Sequence, residues 1–131
     1  MDLATLTGAM VVALGHEFAG FFSTDDILAD QLYQSGKCVD EKLWRFPLHK
    51  NYAKDVESSI ADVKNVGSGR GAGSITAAEF LKRFVGDTPW AHIDIAGVEE
   101  DKKDRDLSRK GATGFGVRLL NHMLKHFYEK S

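Results

Sequence analysis

The stretch Trp90-Ala91-His92-Ile93-Asp94-Ile95-Ala96-Gly97 decides how this chain is read. Pro89 precedes it, Gly97 ends it, and β-branched residues recur at every second position, so it reads as one short strand. Side chains alternate along a strand, which puts Ile93 and Ile95 on one face and His92, Asp94 and Ala96 on the other. A core strand seldom carries both a histidine and an aspartate unless each has a partner. Either both are hydrogen-bonded core polars, or the strand ends at a functional cleft.

Working outward, the segment before this strand predicts a helix. Thr76 and Glu79 make a capping-box pattern, Phe80, Leu81, Phe84 and Val85 an apolar face, and Gly86 a stop. The glycine-rich run Gly67–Gly73 lies ahead of it, and Ile60–Val66 reads as another strand. After Gly97, residues 99–110 are almost all charged and read as a solvated loop. Val117, Leu120, Leu124 and Phe127 space out a final amphipathic helix.

Nearer the start, Leu3–Leu6 reads as a strand that Thr7-Gly8 breaks. Ala9–Leu14 is apolar and glycine-bounded, which favours a buried strand, although periodicity alone leaves a helix open. Phe18, Phe21 and Phe22 read as strand or turn. Ser23-Thr24-Asp25-Asp26 starts a helix, with a hydroxyl as cap and acids in the first turn. Leu28 and Leu32 share its inner face, and Gly36 ends it in a left-handed conformation. Trp44–Leu48 is a short apolar segment interrupted by Pro47. His49–Ser58 reads as a short polar helix with Tyr52 and Val56 inward. Alternating strands and helices predict an α/β fold, a mainly parallel or mixed sheet flanked by helices.

Composition narrows the function classes. A chain of 131 residues fits one domain with a real core. A net charge of −2 offers no electrostatic reason to expect nucleic acid or an anionic membrane as partner. The single cysteine, Cys38, excludes an intrachain disulfide framework and fits a reducing, cytoplasmic setting. No apolar run approaches the roughly 20 residues of a membrane span. Met1-Asp2-Leu3 does not begin like a signal peptide.

The isolated motifs are weak. Gly67, Gly69 and Ala72 match a dinucleotide-binding fingerprint, with bare amides at a helix start for phosphate and Asp94 as the ribose acid. Against it, Asp94 sits within its strand, and no second mononucleotide-binding half is present. The bland reading is a turned loop in which glycine supplies positive φ. His16-Glu17 begins like a zinc-protease helix, but Gly20 stands where the second histidine is required. His122 and His126 are one helical turn apart, a metal-compatible spacing, with no acid or cysteine nearby to complete a site, so they read as a solvated pair. Neither Cys38 nor any serine shows the spacing of a nucleophile triad.

Three segments together are far more specific: Asp2-Leu-Ala-Thr-Leu-Thr-Gly8, Trp90–Gly97, and Gly111-Ala-Thr-Gly-Phe-Gly-Val-Arg-Leu-Leu120. Trp44-Arg-Phe-Pro-Leu48, Ser59-Ile-Ala-Asp-Val-Lys-Asn65 and Ile75-Thr-Ala-Ala-Glu-Phe-Leu81 lie between them in order. This pattern resembles the C-terminal part of the catalytic domain of the leucyl (cytosol) aminopeptidases, peptidase family M17, over essentially the whole chain.

The resemblance implies a hexameric exopeptidase that removes N-terminal residues from peptides. Two divalent ions, zinc or manganese, would activate a bridging water and polarise the scissile carbonyl. An arginine-held bicarbonate would act as base, and a lysine would stabilise the oxyanion. The family's metal ligands are a lysine, three aspartates and a glutamate. The last two belong to an Asn-Thr-Asp-Ala-Glu-Gly-Arg segment upstream of the strand that opens this chain. Ligands, catalytic lysine, arginine and N-terminal domain are therefore expected to be absent, leaving residues 1–131 a single partial domain with no catalytic or metal residue.

What the resemblance leaves is one wall of a cleft. Thr5, Gly8 and Ala96 would line the pocket for the substrate's first side chain, and the backbone of Leu6 would contact the substrate amine and the bicarbonate. Small residues at 8 and 96 leave room for a bulky apolar group. Glu99-Glu100 stands where many relatives are apolar and alters the pocket's outer rim. The first expectation is an aminopeptidase fragment, inactive alone, that supplies pocket wall and oligomer surface. The alternative is a non-catalytic binding or scaffold module that self-assembles or joins an intact subunit.

Overall fold

The computed structural model describes residues 1–104, 106 and 109–129. Its main sheet has four strands: β1 (Asp2–Ala4), β2 (Ala19–Ser23), β3 (Leu43–Arg45) and β4 (Ala91–Asp94), in the order β1-β4-β2-β3. β1 runs parallel to β4 and β3 parallel to β2, while β2 and β4 are antiparallel, so the sheet is mixed. The central strands β2 and β4 are buried at every position, as strands covered on both faces must be.

One face packs on α2 (Asp26–Val39) and α5 (Val117–Met123). There Phe21, Ala91 and Ile93 meet Ala29, Leu32, Leu119 and Met123. The other face packs on α1 (Gly8–Leu14) and α4 (Gly73–Lys82), where Met10, Ile75 and Ala78 surround Phe22. Gly20 of β2 lets α1 approach, since a Cβ there would meet the flexible end of Met10. A short helix α3 (Lys50–Ala53), a 3-10 turn (Lys54–Val56) and a hairpin of β5 (Glu100–Asp101) and β6 (Gly111–Ala112) complete the described elements, with a π-helical turn at Leu124–Tyr128.

Several local expectations are corrected. Ala9–Leu14 belongs to helix α1, not a strand: Thr7 caps it through the Met10 amide, and Met10 and Leu14 face inward one turn apart. Gly36 does not end α2, which continues to Val39, and Asp40 takes the left-handed position with φ 56°. Gly36 is instead a contact glycine, because a Cβ there would lie 2.5 Å from the Glu41 carbonyl oxygen. The cap of α2 is the Asp25 carboxylate on the Leu28 amide at 2.7 Å, not a hydroxyl.

Ile60–Val66 forms no strand; both end residues are exposed, and neither has a strand to pair with. The Thr76/Glu79 box does not form, because α4 starts at Gly73 and Thr76 is already inside it. Its hydroxyl donates back to the Ala72 and Gly73 carbonyls, and Glu79 accepts from the His49 amide instead. The buried face of α4 is Ser74, Ile75, Thr76, Ala78 and Glu79, while Phe84, outside the helix, is 70% exposed. On α5 the inward residues are Leu119 and Met123; Val117 and Leu124 are exposed. The charged stretch 99–110 includes β5 and is not all loop; Arg105, Leu107 and Ser108 lie outside the described residues.

Candidate functional site

Parallel strands β1 and β4 are neighbours, with Ala4 opposite Asp94, and they end on the same side. The Ile95 amide donates to the Ala4 carbonyl at 2.9 Å, extending the pairing past both strands. Thr5, Leu6 and Thr7 then turn into α1, while Ile95, Ala96 and Gly97 leave β4 beside them. Ligands of α/β sheets characteristically bind outside the carboxyl ends of strands, where loops diverge.

One carboxylate organises this corner. Asp94, 1% exposed, accepts on Oδ1 from the Leu6 amide at 3.1 Å and the Ala96 amide at 3.2 Å, with the Thr7 amide at 3.5 Å. Its Oδ2 accepts from the Thr7 hydroxyl at 2.6 Å. A buried carboxylate is tolerable only with such a set of donors. Leu6 and Ala96 are thus held on one oxygen, with Thr5 and Gly8 placed beside them along the same turn.

The four expected pocket residues are accessible. Thr5 and Gly8 are exposed, Leu6 is 38% exposed and Ala96 is half-buried. A Cβ added at Gly8 would meet nothing within 4 Å, so that position borders open space. Gly97 is the opposite case: a Cβ there would collide with the Gly15 carbonyl oxygen, so only glycine lets the end of β4 pass the end of α1. His16 Nδ1 bonds the Gly97 carbonyl at 2.7 Å and fastens the same crossing.

His92 is a bonded core group. Its Nδ1 lies 2.6 Å from Asp2 Oδ1, and the Trp90 indole donates to Asp2 Oδ2 at 2.6 Å. The imidazole stacks against Trp90 and Phe22, and among the described residues its buried Nε2 has no hydrogen-bond partner. Of the two sequence readings, hydrogen-bonded core polars describes both His92 and Asp94, and Asp94 is in addition the anchor of the turn next to it.

The nucleotide fingerprint loses its context, since no strand precedes the glycine run and the Asp94 carboxylate is fully engaged. His122 and His126 stack at 5.6 Å; His126 is exposed and His122 half-buried. With Arg118, Asn121 and Lys125 they line a cavity of about 420 Å³ that holds two cationic side chains and, among the described residues, no acid. Among the described residues no group of three His, Cys, Asp or Glu could hold a metal ion, so the metal pair implied by the resemblance finds no donor set on them. No described helix is long and apolar enough to cross a membrane.

Two residues of the corner were not foreseen: Thr7, and Ser74 on α4, whose hydroxyl lies 2.9 Å from that of Thr7. A signal existed for the first, since threonine before an apolar run is a helix-cap pattern.

Comparison with known proteins shows the family. A family model described as "Cytosol aminopeptidase family, catalytic domain" matches residues 1–121. A relative from Phytoplasma australiense named "Probable cytosol aminopeptidase" is 58% identical over 130 residues, 98% of this chain and 26% of the relative. Relatives of the same name from Wolbachia pipientis wMel and Brucella melitensis biotype 1 are 55% and 54% identical over 131 and 129 residues, with the same coverage. The chain therefore spans about a quarter of the length of the curated relatives it matches. On the matched residues and these identities, the chain belongs to the cytosol aminopeptidase family, peptidase family M17.

Proposed function

We propose that this chain supplies one wall of the substrate side-chain pocket, and part of the oligomer surface, of a cytoplasmic leucyl aminopeptidase. It does not by itself carry the metal-dependent step. Thr5, Gly8 and Ala96 border the space for the substrate's first side chain, and the Leu6 backbone faces its amine. Two divalent ions, zinc or manganese, would supply the activated water from residues other than those described here, and the intact assembly would be a hexamer acting on peptides.

The observation that carries the reading is the shared carboxylate. One buried oxygen of Asp94 accepts from the amides of Leu6 and Ala96, so residues 90 positions apart (6 and 96) are held as a single surface beyond two parallel strand ends.

The test replaces the matching stretch of an intact relative with this chain and introduces Ala96→Phe into the chimaera. A phenyl group at this half-buried position fills the space of the substrate's own side chain. The expected result is a much larger fall in kcat/KM on leucyl-anilide than on glycyl-anilide, since one methylene in an apolar pocket already discriminates by about 1–3 kcal/mol. Equal losses on both substrates overturn the assignment.

A further inference from the structure

We propose that Thr7 is a positioning residue through which Ser74, at the start of α4, sets the Leu6 backbone at the pocket. The inference rests on the pocket reading above and adds to it the device that holds the wall in register.

The proton arrangement follows from the chemistry of the partners. The Asp94 carboxylate only accepts, so the Thr7 hydroxyl donates to it across 2.6 Å. That leaves the Thr7 oxygen two lone pairs. One accepts from the Met10 amide at 3.1 Å. The other faces Ser74 Oγ at 2.9 Å, and because the only Thr7 proton is committed, Ser74 is the donor. The hydroxyl is thereby saturated, and each bond has one direction.

Four elements meet at this atom: the turn after β1, the first turn of α1, the end of β4 and the first turn of α4. Asp94 is 1% and Ser74 6% exposed, so water does not readily substitute for a lost partner. The two helix starts are also in direct contact, as a Cβ at Gly73 would lie 3.1 Å from Ala9 Cβ. With its hydroxyl saturated, Thr7 acts through Asp94 rather than on substrate. It fixes the rotamer of Asp94, whose other oxygen holds the Leu6 and Ala96 amides. A shift of α4 is delivered to the Leu6 amide through two hydroxyls and one carboxylate.

The experiment compares Thr7→Val, which keeps the shape and removes the hydroxyl, with Thr7→Ser, which keeps the hydroxyl, and with Ser74→Ala. Amide hydrogen exchange is read by NMR on the full chain, and kinetics on the chimaera described above. Thr7→Val is expected to speed exchange at Leu6 and Ala96 well beyond the change in global stability. It should lower kcat/KM by about tenfold or more on leucyl- and glycyl-anilide alike, mostly in kcat, because small misplacements of a positioned backbone are costly. Metal content should not change. Thr7→Ser should recover most of the loss, and Ser74→Ala should fall between.

Thr7→Val with parent-like kinetics and only a lower melting temperature overturns the proposal, as does a Thr7→Ser variant no better than Thr7→Val. If Thr7→Val does not fold, Ser74→Ala decides: parent-like exchange at Leu6 and parent-like kinetics reject the link. Ala96→Phe in the same chimaera separates the two readings. Selective loss on leucine with an inert Thr7→Val sinks this inference alone. Unselective loss with a responsive Thr7→Val sinks the pocket assignment and leaves the positioning role.

Discussion

Asp94 shows how a single side chain makes a surface out of two distant pieces of chain. Its carboxylate sits in a corner where an unpaired charge would be strongly destabilising, and it accepts from three amides and a hydroxyl. The energy that makes its burial possible also fixes where Leu6 and Ala96 lie. Ala96 itself is only half-buried, so a pocket reading and a packing one make different predictions for it. If Ala96 were tightly packed core, Ala96→Phe would cost about 1–3 kcal/mol by overpacking and lower activity on every substrate. The expectation here is an unchanged melting temperature and metal content, with the kinetic loss confined to bulky substrates. Thermal melting run beside kinetics on leucyl- and glycyl-anilide decides between the two.

Helix α5 shows an element completed from outside its own sequence. Gly116, with φ 97°, precedes it and offers no side-chain cap. The buried Glu41, from the turn between α2 and β3, caps it instead: Oε2 accepts from the Gly116 amide at 3.0 Å and the Leu119 amide at 2.9 Å. Its Oε1 meets Arg118 Nε at 3.3 Å. An acid at a helix N-terminus is also favoured by the helix dipole. Glu41→Ala leaves buried amides without a partner and is expected to destabilise the chain by about 1–3 kcal/mol, measured by urea unfolding. Glu41→Gln, which can still accept one bond, should lose less. Equal stability of all three proteins would mean that α5 is held by packing on α2 alone.

At the scale of the whole molecule, two expectations concern the chain on its own. On the proposed function, in which the metal-dependent step belongs to other residues, purified chain given manganese or zinc should not hydrolyse leucyl-anilide, because water at neutral pH is a poor nucleophile without a metal. Turnover that persists after removal of trace host peptidase would contradict this. The chain should also self-associate. Among the described residues the outer strands β1 and β3 each pair on one side only, and Val12 and Ile60 are 89% and 96% exposed. Open edges and exposed apolar side chains favour association. Light scattering that finds a monomer unaffected by concentration would count against it.

A strand within Trp90–Gly97, the α/β class and the family were legible without coordinates, each for a local reason, although the strand covers only Ala91–Asp94 and Ile95–Gly97 lie beyond its end. Alternation at Ile93 and Ile95 with Pro89 and Gly97 as bounds is a short-range signal, and the ordered segments from Asp2 to Leu120 carry the family. The failures share one cause as well. Ala9–Leu14 has the length and flanks of a buried strand, and periodicity in so short a window does not exclude a helix. What makes it a helix is its Thr7 cap and the packing of Met10 against Phe22. Ile60–Val66 has strand-like composition but no neighbouring strand to receive its backbone bonds, and β-structure does not form without one. Glu41 looks like any surface acid until Gly116 and Leu119, more than 70 residues on, close over it. Thr7 and Ser74 carry no functional signature apart; 67 residues separate them, and only the packing of α4 on α1 brings their hydroxyls together. Periodicity and turn chemistry act between near neighbours in the chain. The partners of a buried polar group are chosen by the packing of whole elements, and this corner of the molecule is built almost entirely from such groups.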